Sequence, residues 1–209
     1  MVTKNRGLLT LNSLILDAKN VVFDVGQVLL RFSPVDFLPQ MFPADIAQKL
    51  MPPTLFGGDT WLRMDEGVYH AEEAAEKIAA LAGDSNLKEP LLHFMLHFAE
   101  QMELLPPAHL IPQLKRMGKK LYIISNYGAE TFAATKKQFP QLFSQFDGMV
   151  VSAHEKLLKP DRRIYDLLCS RYGLDPAECV FIDDLAANVQ GAVDAGFKGI
   201  HYTGPEAIE

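Results

Sequence analysis

Cysteine is scarce in this chain, and a long apolar run is missing from it. Its 209 residues include two cysteines, Cys169 and Cys179, and neither lies in a CxxC pattern or beside paired histidines. We therefore expect two reduced thiols, which argues against a disulfide scaffold and a cysteine-based zinc site. No run approaches the roughly 18 consecutive apolar residues that a membrane-spanning helix needs. These shortages predict a cytoplasmic protein that has no membrane partner.

Positive charge is also in short supply. The chain has 20 Lys and Arg against 26 Asp and Glu, which gives a formal net charge of −6. A nucleic-acid-binding protein usually carries a basic stripe, and none is evident, so we expect no nucleic-acid partner. A phosphate group would have to be bound by a few focused side chains with the help of a metal ion. With 48% hydrophobic and 22% charged residues, the composition is that of an ordinary globular protein.

The N-terminal segment has some features of a signal peptide. Residues 8–16 are fairly apolar, and Lys4 and Arg6 precede them. Polar residues interrupt this run, however, and no cleavage site of the small-x-small type follows it. We therefore expect a short amphipathic lead-in that packs on the folded domain.

Five short apolar runs predict β-strands. Several are apolar almost throughout, as strands buried on both faces of a parallel sheet usually are. The predicted strands are Asn20–Val25, Lys120–Ser125, Gly148–Ser152, Cys179–Asp183 and Gly199–Tyr202. The helical patterns between and after the later strands cover Ala129–Phe139, Asp161–Tyr172 (with Asp161 as N-cap and Gly173 as stop) and Leu185–Ala195. This alternation predicts an α/β fold with a doubly wound parallel sheet.

The alternation of strands and helices fails between about residues 33 and 107. This stretch carries helical patterns with proline and glycine punctuation, and it is too long for a loop in a compact domain. The predicted helices are Val35–Met41, Ala44–Leu50, Ala71–Ala82 and Leu87–Met102, and Pro106 and Pro107 then end the insert. We predict a helical cap domain over residues 34–106, inserted after the first strand of a core domain that comprises residues 1–33 and 107–209.

Residues that can carry chemistry follow the predicted strands. In open α/β sheets, ligands bind beyond the carboxyl ends of the strands. The residues at or after these ends are Asp24, Ser125, Asn126, Lys159, Asp183 and Asp184. Each alone has an ordinary structural explanation, such as capping a helix. Adjacent carboxylates repel each other, however, so a cation usually explains an Asp-Asp pair. The set therefore predicts that acidic groups, a hydroxyl and a lysine converge on one sheet edge.

These residues lie in four motifs that resemble those of the haloacid dehalogenase superfamily, most of whose members are phosphatases. In chain order the motifs read FDVGQVL from Phe23, IISN from Ile123, KPD from Lys159 and FIDD from Phe181. The resemblance covers roughly residues 20–33 and 107–209. Residues 34–106 match the family's small helical cap in position and character. The resemblance implies a Rossmann-like core, a phosphatase activity and a Mg²⁺ cofactor.

The resemblance also implies a role for each acidic residue at the sheet edge. Asp24 would attack phosphorus and form an aspartyl phosphate. The metal would be held by the Asp24 carboxylate, the main-chain carbonyl of Gly26 and the Asp184 carboxylate. Asp183 would support these ligands from a second position or through water.

A phosphate-binding set follows from the same resemblance. Ser125 and the amide of Asn126 would hold phosphate oxygens, and Lys159 would neutralise charge between the nucleophile and the phosphate. Such cations are needed because an anionic nucleophile and an anionic phosphoryl group repel each other. The expected substrate is a small phosphorylated metabolite, with a sugar phosphate as the default. The sequence leaves the substrate's identity and the oligomeric state open.

One departure from the family pattern bears on catalysis. Family phosphatases usually carry a second Asp two residues after the nucleophile, which protonates the leaving oxygen and later activates water; here that position is Gly26. Such a general acid/base typically contributes about 10²–10⁴-fold to the rate. The first motif is similar to an FDxGxV branch that includes sugar-1-phosphate phosphatases.

Three hypotheses follow from this departure. The first is a working phosphatase that uses water or another group in place of the missing Asp. The second is a weak or inactive relative that binds a phosphometabolite or a protein partner. The third is a metal-independent 2-haloacid dehalogenase, which also lacks that Asp, but the intact Asp183–Asp184 pair argues against it.

Three places outside the motifs are candidates for contact with a substrate, and Tyr127, directly after the second motif, is one of them, although a packing role fits it equally well. The segment WLRMDEG is predicted to form a turn of the cap, and its Trp61, Arg63, Asp65 and Glu66 are expected near the site. His154 precedes the third motif and is a candidate for the missing acid, although a surface histidine is the simpler interpretation.

Overall fold

A computed structural model describes residues 11–209 of the chain and contains a single five-stranded sheet within that range. The strands are β1 (Asn20–Phe23), β2 (Lys120–Ser125), β3 (Gly148–Val151), β4 (Cys179–Asp183) and β5 (Lys198–His201). All neighbouring strands run parallel, in the order β3-β2-β1-β4-β5, so β1 is central. The predicted doubly wound α/β fold is confirmed, with strand bounds that differ from the predicted ones by two residues at most.

The sheet is apolar because helices cover both of its faces. Every position of β1 and β4 is buried. Successive side chains of a strand point to opposite faces. Accordingly, Val21 and Phe23 belong to one hydrophobic cluster and Val22 to another. This double burial explains why the strand sequences are continuously apolar instead of alternating.

Twelve α-helices accompany the sheet in the described range. They are α1 (Ser13–Asp17), α2 (Pro34–Met41), α3 (Ala44–Leu50), α4 (Asp59–Asp65), α5 (Ala71–Leu81), α6 (Lys88–His97), α7 (Pro106–Arg116), α8 (Ala129–Gln138), α9 (Pro140–Phe143), α10 (Ser152–Glu155), α11 (Arg162–Tyr172) and α12 (Ala186–Asp194). Helix α11 has the predicted ends: the Asp161 side chain accepts a hydrogen bond from the Arg163 amide, and Gly173 closes the helix at φ +65°.

One local prediction is incomplete and another is wrong. Pro106 and Pro107 do not only end the inserted segment, since they form the first turn of α7. The first turn of a helix tolerates proline because its amides have no partner within the helix. The WLRMDEG segment is also not a simple turn, because its first five residues belong to α4. This short helix is stabilised by tertiary burial of Trp61 and Met64, which its local sequence does not reveal.

Helices α2 to α6 all lie between β1 and β2, and they pack on the core through aromatic side chains. Phe56 contacts Phe32 and Trp61 with ring centroids 4.7 and 4.4 Å apart, and Phe98 stacks on Tyr127 at 6.4 Å. Residues 34–106 and the sheet contribute to one continuous hydrophobic cluster. The division into a core (1–33, 107–209) and a cap (34–106) stays a prediction.

The predicted N-terminal lead-in is described from Leu11 onward, and residues 1–10 lie outside the described range. In the described part, Ile15 of α1 is fully buried and the Asn12 side-chain amide donates to the Ala207 carbonyl at 3.1 Å. This part therefore packs on the C-terminal end of the chain. Within residues 11–209, no helix is long and apolar enough to cross a membrane.

Candidate active site

Asp24 follows the central strand and lies at the carboxyl edge of the sheet. Asp24 is 8% exposed, so its carboxylate is largely shielded from water. The Ser125 hydroxyl, at the end of β2, donates to Asp24 Oδ1 at 2.6 Å, and Lys159 Nζ lies 2.8 Å from the same oxygen. Burial raises the pKa of Asp24, while Lys159 and the Ser125 hydrogen bond oppose that rise. The structure thus brings three predicted site residues into direct contact.

Lys159 is a buried cation between two carboxylates. Its Nζ also lies 2.6 Å from Asp183 Oδ2, and it lies 5.4 Å from the centre of the Phe181 ring. Burial lowers the pKa of Lys159, but the charges of Asp24 and Asp183 outweigh that effect and raise it. The lysine is therefore charged and fixed in place.

The Asn126 side chain positions Lys159 through its backbone. Asn126 Oδ1 accepts from the Lys159 amide at 2.8 Å, and Asn126 Nδ2 donates to the Lys159 carbonyl at 3.1 Å. This two-point contact joins the end of β2 to the loop that follows α10. Asn126 also lines the cavity described below.

Asp183 is fully buried and fully engaged. Its Oδ1 accepts from the Leu185 amide at 2.8 Å and from Asn188 Nδ2 at 3.0 Å. Its Oδ2 accepts from Lys159 as described and from Asn188 at 3.2 Å. Because both oxygens already have donors, Asp183 is better suited to hold Lys159 and the β4 end in place than to bind a metal directly.

A group of three carboxylates has the donor chemistry of a cation site. Ligand oxygens of Asp24, Asp183 and Asp184 all lie within 4.8 Å of one another. Burial, with the charges of Asp24 and Asp183, raises the pKa of the half-buried Asp184 to about 6. A divalent cation would relieve this repulsion. Mg²⁺ prefers oxygen ligands and commonly takes one or two carboxylates together with water, so this donor set fits it.

Gly26 lies beside this group and leaves open space. A Cβ built on Gly26 would meet no atom of the described residues within 4 Å. The backbone there has no positive φ that would require glycine. A side chain at this position would therefore fit, so packing does not explain the absence of an Asp.

A cavity of about 100 Å³ opens beside Asp24. Half of its lining is apolar or aromatic and comes from separate segments. The lining residues are Asp24, Gly26, Phe32, Trp61, Asp65, Phe98, Met102, Ser125, Asn126 and Tyr127. Sequence reasoning missed Phe32, Phe98 and Met102 as site residues, because only the packing of separate segments of the chain brings them to this place.

The candidate residues outside the motifs separate into two groups. Trp61 and Asp65 line the cavity, as the i,i+4 spacing on one face of α4 allows. Arg63 instead lies 3.1 Å from Glu66 and is half-exposed, outside the cavity lining. His154 is exposed and is likewise absent from that lining, so it takes the simpler interpretation of a surface histidine.

The parallel sheet, the helical segment over its carboxyl edge and the cluster of carboxylates with one buried lysine define a Rossmann-like α/β enzyme class. Comparison with known families agrees with that class. The chain belongs to the haloacid dehalogenase-like hydrolases, whose family model matches residues 18–196. The resemblance noted from the four motifs is thereby confirmed.

Known relatives include both phosphatases and dehalogenases. The sesquiterpene phosphatase astK of Aspergillus oryzae is 25% identical over 189 residues, which cover 88% of this chain and 90% of that protein. A second relative is a variant of a haloacid dehalogenase family enzyme of Bacteroides thetaiotaomicron, solved with magnesium and inorganic phosphate. Its structure matches this one with a TM-score of 0.72 at 20% identity, and the match covers 90% of this chain and 95% of that chain.

A third relative has a different chemistry. The L-2-haloacid dehalogenase of Xanthobacter autotrophicus, solved with chloropropionic acid covalently bound, has a TM-score of 0.65 at 23% identity. The match covers 91% of this chain and 80% of that one. At such identities the two structural likenesses establish the fold, and the reaction has to be argued from this chain's own residues.

Proposed function

We propose that this hydrolase is a Mg²⁺-dependent phosphatase that uses Asp24 as its nucleophile on a phosphate monoester. The observation that carries the proposal is the contact of Asp24 with both Ser125 and Lys159 at the edge of the cavity. A buried carboxylate beside a hydroxyl and a fixed cation is suited to attack an anionic phosphoryl group, because the cation offsets the repulsion between them.

The metal ligands in this proposal are the carboxylates of Asp24 and Asp184 and the main-chain carbonyl of Gly26. Asp183 supports them by holding Lys159 and the end of β4. When bound, the Mg²⁺ ion would supply positive charge that offsets the negative charge of the phosphoryl oxygens. The donor set described above and the magnesium in the structure of the Bacteroides relative support this choice of metal.

The remaining roles belong to the phosphate-binding side chains. Ser125 Oγ and the Asn126 amide bind phosphoryl oxygens, and Lys159 holds the Asp24 carboxylate in line with phosphorus. In the first half of the reaction, Asp24 forms a bond to phosphorus and the alcohol leaves. Water then cleaves the aspartyl phosphate and returns Asp24 to its starting state.

The apolar lining of the cavity refines the expected substrate. Five lining residues offer hydrocarbon surface: Phe32, Trp61, Phe98, Met102 and Tyr127. A sugar would leave hydroxyl groups unpaired against such a surface, whereas an apolar alcohol would gain from burial. The preferred substrate is therefore the phosphate ester of an apolar alcohol, and the sesquiterpene phosphatase among the relatives supports this class.

The size of the cavity sets a limit on what it encloses. Its volume of about 100 Å³ is below the roughly 300–1,000 Å³ that is typical of ligand pockets. It would enclose the phosphoryl group and the first carbon atoms of the alcohol. A longer chain would extend along the apolar wall or require the cap to move.

Phosphate release from a panel of esters, with and without Mg²⁺, tests the activity. The panel includes 4-nitrophenyl phosphate, hexyl phosphate and glucose 1-phosphate. We expect Mg²⁺-dependent release that Asp24→Asn abolishes, while Asp166→Asn, the same change at an exposed position, leaves it intact. Halide release from a 2-haloacid without metal would favour a dehalogenase instead. Stabilisation by a phosphate ester without turnover would favour the weak or inactive relative.

The substrate class has its own test. We expect a higher kcat/KM for hexyl phosphate than for glucose 1-phosphate. Replacing the buried Met102 by Gln should lower this preference about tenfold, because the pocket loses apolar contact. Met117→Gln is the matched control, since Met117 is exposed and lies outside the cavity lining. A higher kcat/KM for the sugar phosphate would contradict the apolar assignment.

A further inference from the structure

The phosphatase reaction needs a proton donor, and the usual position for it is Gly26. Three of the cavity-lining residues have ionisable side chains: Asp24, Asp65 and Tyr127. Asp24 is the proposed nucleophile. The Tyr127 hydroxyl is hydrogen-bonded to Thr135 Oγ1 at 2.9 Å, and burial raises its pKa well above the usual range. Asp65 is therefore the acid that the cavity itself offers.

We infer that Asp65, at the end of helix α4 in the cap segment, is the general acid and base of the reaction in place of a residue at position 26. This inference rests on the proposed phosphatase activity and names a catalytic residue for it. Its basis is that Asp65 lies in the wall of the same cavity as Asp24, is 8% exposed, and is fixed to the core.

Two close approaches fix the backbone around Asp65 to the core. The Ser152 hydroxyl, just after β3, donates to the Asp65 carbonyl, and it accepts from the Tyr127 amide at 2.8 Å. Gly67 packs so tightly on Ala153 that a Cβ at Gly67 would overlap the Ala153 carbonyl oxygen. Because the cap segment is held here by the core, Asp65 keeps a defined place relative to Asp24.

Gly128 also allows the end of α4 to pack closely on the core. A Cβ at Gly128 would lie 3.0 Å from Met64 Cγ, which is closer than such atoms normally come. The absence of a side chain at Gly128 thus lets the end of α4 approach the segment after β2. The Gly128 backbone and the Trp61 side chain both lower the pKa of the Asp65 carboxyl, as nearby hydrogen-bond donors do. A protonated carboxyl can accept a hydrogen bond at one oxygen and still donate its O–H to another group.

The protonation state supports the geometry. Burial raises the pKa of Asp65 to about 8, and the charge of Asp24 adds to the rise. Hydrogen bonds from Gly128 and Trp61 and the charge of Lys159 oppose it. Asp65 is therefore mostly protonated at neutral pH, as a general acid must be, with a pKa close to the working pH.

Other charged groups on and around α4 have partners elsewhere or face solvent. They belong to α4 itself, to the turn after it, and to α5, α8 and α10, which lie against it or beside Gly128. These residues include Asp59, Arg63, Glu66, Glu72, Glu73, Glu130, His154 and Glu155. Arg63 pairs with Asp59 and Glu66, and Glu155 pairs with Arg171. Glu72 and Glu73 pair with Lys88 and Lys77, Glu130 with His70, and His154 is exposed.

The proton balance closes over two half-reactions. In the first, a bond forms between Asp24 and phosphorus, the bond from phosphorus to the ester oxygen breaks, and the proton of Asp65 passes to that oxygen. In the second, water attacks phosphorus, its proton passes to the ionised Asp65, and the Asp24–phosphorus bond breaks. Phosphate leaves, and both aspartates return to their starting states.

The leaving-group dependence of Asp65→Asn tests this role. With 4-nitrophenyl phosphate the leaving oxygen needs little protonation, whereas with hexyl phosphate it needs a proton. We expect Asp65→Asn to lower kcat/KM by about 10²–10⁴-fold for hexyl phosphate and by less than about tenfold for the nitrophenyl ester. Asp59→Asn, the same change at the exposed start of α4, should leave both values unchanged.

Two further measurements separate catalysis from a structural effect. In the wild type, kcat/KM for hexyl phosphate should fall as the pH rises above about 8, and Asp65→Asn should lose this alkaline limb. The carboxyl ¹³C resonance that Asp65→Asn removes should titrate near pH 8 in the protein without substrate. Adding Gly26→Asp to Asp65→Asn should restore turnover of hexyl phosphate, because position 26 has room for the side chain.

The outcomes discriminate between the two proposals. An equal loss with both esters, or no loss with hexyl phosphate, would overturn the role of Asp65 while leaving the phosphatase activity standing. A wild-type protein that releases phosphate from neither ester with Mg²⁺ present would overturn the activity and this inference with it.

Discussion

Replacing Gly67 by Ala should destabilise the protein more than the same change at Gly83. Both glycines directly follow the C-terminal cap of a helix and have almost the same backbone angle, φ +76° and +75°. An alanine in this left-handed conformation costs about 1–2 kcal/mol at either position. Only at Gly67 would the new Cβ also collide, with the Ala153 carbonyl, since Gly83 has no described atom within 4 Å.

The collision sets the expected difference between the two variants. Overpacking typically costs about 1–3 kcal/mol, so Gly67→Ala should lose about 2–5 kcal/mol of unfolding free energy and Gly83→Ala about 1–2. Urea unfolding followed by the fluorescence of Trp61, the single tryptophan, measures both values. Gly67→Ala should also lower kcat, because it displaces the turn after Asp65. Equal losses of stability, with turnover unchanged in both variants, would refute the docking of α4 on the core.

Three further predictions concern charged groups. The pKa of Asp65 is raised from 3.8 to about 8, so its stabilising contribution is present below about pH 4 and is lost as the pH rises through 8. Relative to Asp65→Asn, the wild type should lose up to about 6 kcal/mol of unfolding free energy over that pH range, measured by urea titration. A difference between the two proteins that does not change with pH would contradict this. Lys159→Met should lower the unfolding free energy of the metal-free protein by about 3–5 kcal/mol near pH 7.5, because two buried carboxylates lose their cation. The loss should be smaller near pH 5. An unaltered midpoint of unfolding in urea would contradict this prediction. Burial tends to raise the pKa of Asp147, but the Leu121 amide, Lys115 and Lys120 lower it to about 2. Asp147→Asn should therefore cost about 1 kcal/mol of unfolding free energy at pH 7. This cost should vanish as the pH falls from about 4 to 2.

The residues at the strand ends could be predicted from the sequence, and the cavity wall could not. Asp24 and Asp183 each follow or end a strand that is buried on both faces, so its apolar run gives away both the strand and its end. The carboxyl ends of parallel strands meet at one edge, which brings these residues together without any knowledge of side-chain packing. The same reasoning reaches Ser125 and Lys159.

The helical segment between β1 and β2 depends on contacts between distant parts of the chain. Helix α4 has only seven residues and follows Gly57 and Gly58, so its local sequence favours a turn. Its helical state depends on burial of Trp61 and Met64 against partners far away in sequence. Helical spacing then places Trp61 and Asp65 on one face. A segment predicted to be a turn could therefore suggest a contact with the site, but it could not single out Asp65.

Gly26 shows a different limit of the sequence. The missing Asp suggested reduced activity, or another group in its place, and the sequence offered His154 as one candidate. The exposed position of His154 leaves it outside the cavity, whereas Asp65 lies in the cavity wall. The choice between these two residues depends on three-dimensional packing alone.

Detection of a phosphoryl group on Asp24 tests the central claim most directly. Wild-type protein is mixed with hexyl phosphate and Mg²⁺, quenched in acid within the first turnover, digested and examined by mass spectrometry. The account predicts a phosphoryl adduct on the peptide that contains Asp24, absent when Mg²⁺ is chelated and absent in Asp24→Asn. Phosphate release that persists in Asp24→Asn, with no adduct on the wild-type peptide, would contradict it.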